Sequence, residues 1–291
     1  MLTSTNVSLP GGDMVITACA ASDTGSVRTL NEDSFIAASP LFVVADGMGG
    51  HAHGDAASQA AVAAMIECLP ESGLPTPAHI IAAISAANDS VITLSRASGV
   101  GVSGSTLAGV ALVQDVGAAA AHWMAFNVGD SRIYRWDGRT LTQLTVDHSA
   151  VQELIDAGLL TADAAHDHPD RNVITRAIGA REDVEADVWL LPLAASQTFL
   201  VCSDGLTKEL GDDAIALALT RFGAKDTSGT DTDAKETVAD TLVAEALAVG
   251  GRDNVTVVVV ESALEVAVES ESTRDRTGVR SDILEDTTPR A

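Results

Sequence analysis

The apolar residues of this chain come in runs of strand length, and the runs come in groups. MVITACAA, SFIAA, LFVVA, STLAGVALV, AAHWMAFNVG, RIYRW, LTQLT, QTFLVCS and NVTVVVV each read as a strand. WDGRT, with Asp137-Gly138 at its centre, is the clearest hairpin turn between two of them. Two helical stretches, Asp55 to Leu69 and Pro77 to Ala97, lie together between early strands. Two more, Asp212 to Arg221 and Glu236 to Ala248, lie together before the last strand. Grouped strands and grouped helix pairs predict an antiparallel sandwich covered by helices, not a wound parallel sheet.

The turn-rich start predicts a flexible N-terminal arm over residues 1–12. From 262 to 291 the chain loses aromatics and mixes charges of both signs, which predicts a disordered acidic and polar tail. The folded domain is therefore expected over 13–261. An insert at about 147–180, with Ser149 as a cap before Val151, Leu154 and Ile155, reads as a lid or substrate flap. The segment from Ala224 to Glu236 reads as a surface loop.

Charge narrows the function classes. Lys plus Arg number 17 against 41 Asp plus Glu, a formal net charge of −24 that argues against nucleic acid and anionic membranes as partners. Cys19, Cys68 and Cys202 lie far apart in apolar contexts, as buried thiols of a reducing compartment do. With no signal peptide pattern and no run of the length a membrane helix needs, a cytoplasmic location is expected. Trp123, Trp136 and Trp189 fit strand core.

The stretch LFVVADGMGGH, Leu41 to His51, admits two readings: glycines that cradle a dinucleotide phosphate, or an aspartate that holds a metal. The dinucleotide reading needs alternating strands and helices, which the chain lacks. The metal reading gains from repetition. Acids follow or precede apolar runs at Asp46 (FVVADG), Asp130 (FNVGDS), Asp204 (FLVCSDG) and Asp253 (GGRDNV), and VRTLNED adds Arg28, Glu32 and Asp33. Gathered at one edge of a sandwich, such carboxylates repel one another unless cations intervene. Hard divalent ions suit an all-oxygen donor set, and two of them sharing a water produce a nucleophile for phosphorus or carbonyl centres.

These residues resemble the metal-dependent protein phosphatases of type 2C, or PPM phosphatases, in their bacterial serine/threonine branch. The similarity runs from about Ser22 to Val260 through SDTGSVRTLNEDSF, VVADGMGGHAHGDAAS, SGSTL, FNVGDSRIYRW, LTVDHSAVQELIDAGLLT, HPDRNVITRAIG, FLVCSDGLTKEL and GGRDNVTVVVV, in the family's order. The resemblance implies an α+β fold, a four-layer α/β/β/α sandwich of two antiparallel sheets flanked by helix pairs. It implies two core ions, Mn²⁺ or Mg²⁺: Asp46 bridges them, the Gly47 carbonyl binds one, and Asp204 with Asp253 completes the other. Glu32 and Asp33 reach the ions through water, Asp130 with Asp204 takes a third, weaker ion, and Arg28 holds the substrate phosphate, a task suited to a forked cation. Arg28 and Asp33 count as the catalytic side chains.

The implied reaction is hydrolysis of phosphoserine and phosphothreonine on proteins by a hydroxide bridging the two ions, opposing bacterial serine/threonine kinases. Phosphorylated proteins, a kinase among them, are the implied partners. Alternatives are a phosphatase of an anti-sigma antagonist and a catalytically silent phosphoprotein scaffold. One departure concerns the acid: animal members place a histidine two residues after the bridging aspartate, where this chain has Met48, and His51 reads equally as a helix-entry residue. The pair His166 and His168, with Asp170, lacks further close ligands for zinc.

Overall fold

Two antiparallel sheets lie face to face in the computed structural model, which describes residues 1–10, 12–49, 53–98, 103–115, 117, 120–225 and 236–265. The first sheet runs β1 (Leu2–Leu9), β2 (Gly12–Asp23), β12 (Val255–Leu264), β11 (Ser196–Cys202), β8 (Arg132–Trp136), β9 (Leu141–Gln143). The second runs β10 (Asp187–Pro192), β7 (Ala121–Val128), β6 (Leu107–Gln114), β4 (Leu41–Gly49), β3 (Asp33–Ala38), and β5 (Ser103–Ser105) pairs with the far end of β4. Helices α1 (Gly54–Glu67) and α2 (Pro77–Ser98) cover the outer face of the second sheet. Helices α5 (Asp204–Glu209), α6 (Asp212–Lys225) and α7 (Val238–Val249) cover that of the first.

This layering explains why the central strands are apolar throughout. Along β4, Val43 and Ala45 face the helices α1 and α2, while Phe42 and Val44 face the opposite sheet. Along β12, Val255, Val257 and Val259 face α7, and Val258 and Val260 face inward. A strand covered on both sides has no use for polar alternation. Between the sheets, Trp123 packs tilted against Phe42 and edge-on against Phe199, ring centroids 6.1 and 5.4 Å away. Truncating such a residue to alanine costs about 3–5 kcal/mol. Helix α7 starts at a capping box in which Thr237 and Asp240 satisfy each other's backbone amides.

The structure corrects several expectations. The expected flexible arm, residues 1–12, contains a strand instead: β1 pairs with β2 along its whole length, from Leu2↔Cys19 to Leu9↔Gly12, and Thr3 Oγ1 donates to the Ala37 carbonyl 3.1 Å away. The polar alternation of LTSTNVSL, read as turn-rich, is that of an edge strand with one wet face. The domain also continues past 261, since β12 reaches Leu264; the expected tail lies otherwise outside the described residues, as do His51 and most of the Ala224 to Glu236 loop. Strand β10 and the short helix α5 are additions. Helix α2, from Pro77 to Ala97, is long and apolar enough by composition to cross a membrane, yet Ile80, Ala83, Ile84, Ala87 and Val91 pack it onto the second sheet.

The insert carries α3 (Ala150–Asp156) and α4 (Ala162–Ala165), capped by Ser149 and Thr161. It is tied back by bridges between Ser149 and Ile174 and between Ser105 and Ile178.

Candidate metal centre

Asp33 and Asp46 sit directly opposite each other on β3 and β4, a pairing that brings side chains on one face to ~5 Å. Both belong to the second sheet. From the first sheet come Asp204, which starts α5 straight after β11, and Asp253, two residues before β12. Asp130 lies in the turn between β7 and β8, which passes from one sheet to the other. The acids of the sequence motifs are therefore brought together at one end of the sandwich.

The polypeptide around them is tightly held. The Asp46 amide donates to Thr106 Oγ1 at 2.9 Å, and its carbonyl accepts from Thr106 N at 2.8 Å and Ser105 Oγ at 3.1 Å. Thr106 Oγ1 in turn lies 2.7 Å from Ser131 Oγ, so the SGSTL and GDS motifs form one scaffold under Asp46. Ser203 Oγ donates to Asp33 Oδ2 at 2.8 Å and accepts from Thr256 N at 3.0 Å, joining the two sheets at the cluster. Asn254 staples the arginine loop: its Oδ1 accepts from Glu32 N, and its Nδ2 donates to the carbonyls of Thr24 and Leu30. At Gly25, with φ +81°, any side chain would overlap the Asp253 carbonyl, so the loop approaches that acid only with glycine there.

Like charges in a buried place shift the acids upward. Burial first, then Asp33, Asp204, Asp130 and Asp253, hold the Asp46 carboxyl well above its usual range. Burial, followed by the charge of Asp204, pushes Asp130 up to about 7. Burial also raises Asp33 to about 6, although hydrogen bonds from Thr256 and Ser203 oppose it. Asp204 is raised by burial against the pull of Lys208. Asp253 is the exception: burial pushes it up, but Lys208 and Arg28 outweigh that and hold it low.

These residues fit hard divalent ions. The donors are all oxygens, and the buried Oδ1 atoms of Asp33, Asp130 and Asp204 have no hydrogen-bond partner, an arrangement costly for an anion without a cation. Among the described residues no three acid, histidine or cysteine side chains yet form a finished cage. Ions that keep several waters do not require one. A protein cation already stands in the cluster: Lys208 Nζ pairs with Asp204 Oδ2 and lies 3.3 Å from Asp253 Oδ2.

The remaining expected residues are placed less centrally. Arg28 stands at the rim, its side chain 48% exposed, with Nε and Nη2 on the two Asp253 oxygens. The Glu32 carboxylate is turned to the start of α1, where Oε1 accepts from Gly54 N at 3.2 Å. Gly47 packs against Gly54 so closely that neither tolerates a side chain. His166 and Asp170 are exposed, and the His168 ring accepts from Asp170 N within a local turn. Four contributors were not singled out from the sequence: Thr106, Ser203, Lys208 and Asn254. Only the Ser and Thr beside the acid motifs left a trace there.

A further unit ties the insert to Asp130. Arg132 grips Asp147 with three hydrogen bonds of 2.7 to 3.0 Å. Next to it, His148 Nδ1 accepts from Gly129 N at 3.0 Å, and its Nε2 faces Asp187 Oδ2 at 3.2 Å. The His148 carbonyl accepts from Thr175 N, so this ring links the base of the insert to the turn that carries Asp130.

Comparison with known proteins agrees in fold and sequence. The model of the family Protein phosphatase 2C matches residues 26–244. The serine/threonine protein phosphatase PstP of Mycobacterium tuberculosis is 36% identical over 250 residues, which is 85% of this chain and 45% of that protein. This chain therefore matches less than half the length of that relative. The serine/threonine phosphatase stp of Listeria monocytogenes is 33% identical over 253 residues, 82% of this chain and 93% of that protein. The solved catalytic domain of PstP in complex with two manganese ions superposes with a TM-score of 0.71 at 34% identity, covering 86% of this chain and 99% of the other.

Proposed function

Since this chain belongs to the protein phosphatase 2C family, we propose that it hydrolyses phosphoserine and phosphothreonine on proteins with two divalent ions, Mn²⁺ or Mg²⁺, and opposes serine/threonine kinases. One observation carries the reading: Asp33, Asp46, Asp204 and Asp253 lie on or beside four different strands in two sheets, and where they meet, the buried Oδ1 atoms of Asp33, Asp204 and the neighbouring Asp130 have no hydrogen-bond partner. A structural core would have no reason to collect that charge. A relative of known structure holds two manganese ions on the same fold.

Asp46, Asp204 and Asp253 would hold the ions, with Asp33 beside them and Asp130 toward a third. When bound, the ions would supply charge for the phosphoryl oxygens and lower the pKa of a water so that hydroxide is available as nucleophile. The chain does the rest. Arg28 spends one edge of its guanidinium on Asp253 and keeps its other donors for the oxygens of a phosphate, which orients the monoester at the rim. Ser203 fixes the rotamer of Asp33 and leaves its Oδ1 free for a water. Thr106 and Ser105 keep the Asp46 backbone from shifting as charge changes. Glu32 joins Gly54 of α1 to Gly47 on β4, accepting from the first with Oε1 and from the second with its carbonyl.

The test is phosphate release from a phosphothreonine peptide with EDTA, then with Mn²⁺ or Mg²⁺ restored. Turnover should vanish and return; turnover that persists in the chelator overturns the reading.

A further inference from the structure

The acidic cluster holds a basic side chain to which the metal reading gives no role. Lys208 lies one turn after Asp204 on α5, and the i, i+4 spacing puts the two on one helix face. Its ammonium pairs with Asp204 Oδ2 and reaches Asp253 Oδ2 at 3.3 Å, so it bridges two acids from separate elements. These are the two acids that the family resemblance assigns to one ion. Arg28 also contacts Asp253, but from the rim and on both of its oxygens. Among the described residues, Lys208 is the side chain seen to connect Asp253 to Asp204.

A lysine suits temporary residence. Its charge is compact, its stem flexible and its head strongly hydrated, so it leaves a site more readily than a forked guanidinium does. The side chain is 35% exposed, which gives the ammonium a way out to solvent. It also uses only one Asp204 oxygen, since Oδ1 has no partner. A divalent ion could therefore engage Oδ1 first and take over Oδ2 as the ammonium withdraws.

We propose that Lys208 is the resident counter-cation of this cluster and that a divalent ion binds by displacing it from Asp204 and Asp253. The inference rests on the metal reading above. The exchange moves one ammonium to water and breaks no covalent bond. It has two effects: the fold tolerates its carboxylates before metal arrives, and the metal must outcompete a tethered cation, which raises the concentration at which the site fills.

The chain has only three lysines, Lys208, Lys225 and Lys235, so amine acylation read by mass spectrometry gives a clean report. With the unaltered protein, Lys208 should be acylated several-fold faster with saturating Mn²⁺ than in EDTA, with Lys225 and Lys235 as references in the same sample. By calorimetry, Lys208→Gln should bind Mn²⁺ about tenfold more tightly than the parent, the worth of a charge-assisted hydrogen bond no longer displaced. Arg252→Gln, which removes the same charge from an exposed residue beside Asp253, should change affinity less than about twofold. Unchanged Lys208 acylation, equal or weaker binding by Lys208→Gln, or equal tightening in both variants overturns the proposal while leaving the metal reading intact. No Mn²⁺ binding by the parent overturns both. The acylation arm needs no variant and so does not depend on Lys208→Gln folding.

Discussion

Arg28 grips Asp253 side-on, Nε 2.9 Å from Oδ1 and Nη2 3.1 Å from Oδ2. The residue proposed for substrate phosphate is thus also a positioner of a proposed metal ligand. Arg28→Ala should raise KM for a phosphopeptide about 10- to 100-fold, the worth of one or two charge-assisted hydrogen bonds. It should also weaken Mn²⁺ binding measurably by calorimetry, because Asp253 loses its brace. Arg28→Lys should restore little of either, since a point charge cannot reproduce the fork. A normal KM in Arg28→Ala would remove the arginine from the site.

Asp46→Asn should separate stability from activity. The substitution removes a carboxyl whose ionised form is disfavoured by burial and by Asp33, Asp204, Asp130 and Asp253, so at alkaline pH the melting temperature in EDTA should rise, by about 2–4 °C for each kcal/mol relieved. Phosphatase activity should fall at least about 100-fold, through loss of charge stabilisation at phosphorus. If the variant melts lower in EDTA and keeps its turnover, Asp46 serves the fold and not the ions.

Asp130→Ala should be read on two substrates. A serine or threonine alkoxide leaves only with a proton, whereas p-nitrophenolate hardly needs one. If Asp130 serves delivery of that proton, kcat should drop at least about tenfold more on a phosphopeptide than on p-nitrophenyl phosphate, with KM little changed. Equal losses on both would place Asp130 in folding or binding.

Acid should loosen the joint between the insert and the Asp130 turn. Burial holds the His148 ring below its usual pKa despite Asp187, so the unfolded chain takes up this proton more readily than the folded one. Its contribution is fully present above the unfolded value of about 6.5 and is lost as pH falls through it, with a slope of at most about 1.4 kcal/mol per pH unit. Asp33 and Asp130, raised to about 6 and about 7, act with opposite sign: their stabilising protons are lost as pH rises through those values. The difference between the parent and His148→Gln in denaturant melts from pH 7.5 to 5 isolates the histidine. That difference should shrink toward acid, and one independent of pH would show that the ring titrates normally.

What could be read from the sequence was whatever depends on a residue's own position along a strand. Asp46, Asp204 and Asp253 announce themselves because each stands where an apolar run stops or is about to start, and the sandwich then has to bring those ends together. Lys208 did not, because its significance is the distance to Asp253, 45 residues away and on another element. The same holds for Asn254, which reads as part of a loop dipeptide until its amide is seen to tie Thr24 and Leu30. Strand β1 was missed for another reason: a one-faced edge strand of Thr, Ser and Asn has the composition of a turn, and its apolar Leu2, Val7 and Leu9 are too sparse to mark a period. Glu32 adds a contact the sequence does not announce, its Oε1 accepting from Gly54 N at the start of a neighbouring helix.

Asp33 and Asp46 come from one sheet, Asp204 and Asp253 from the other, and the rings of Phe42, Trp123 and Phe199 fill the gap between those sheets. The distance across the acids is therefore set by the thickness of packed hydrocarbon some way behind them. The aromatic interior works as a gauge block for the mouth of the sandwich, and an ion seated there fastens one sheet to the other like a clasp. Thinning the block, as in Phe199→Leu, should change how tightly the clasp closes while altering no atom of any ligand.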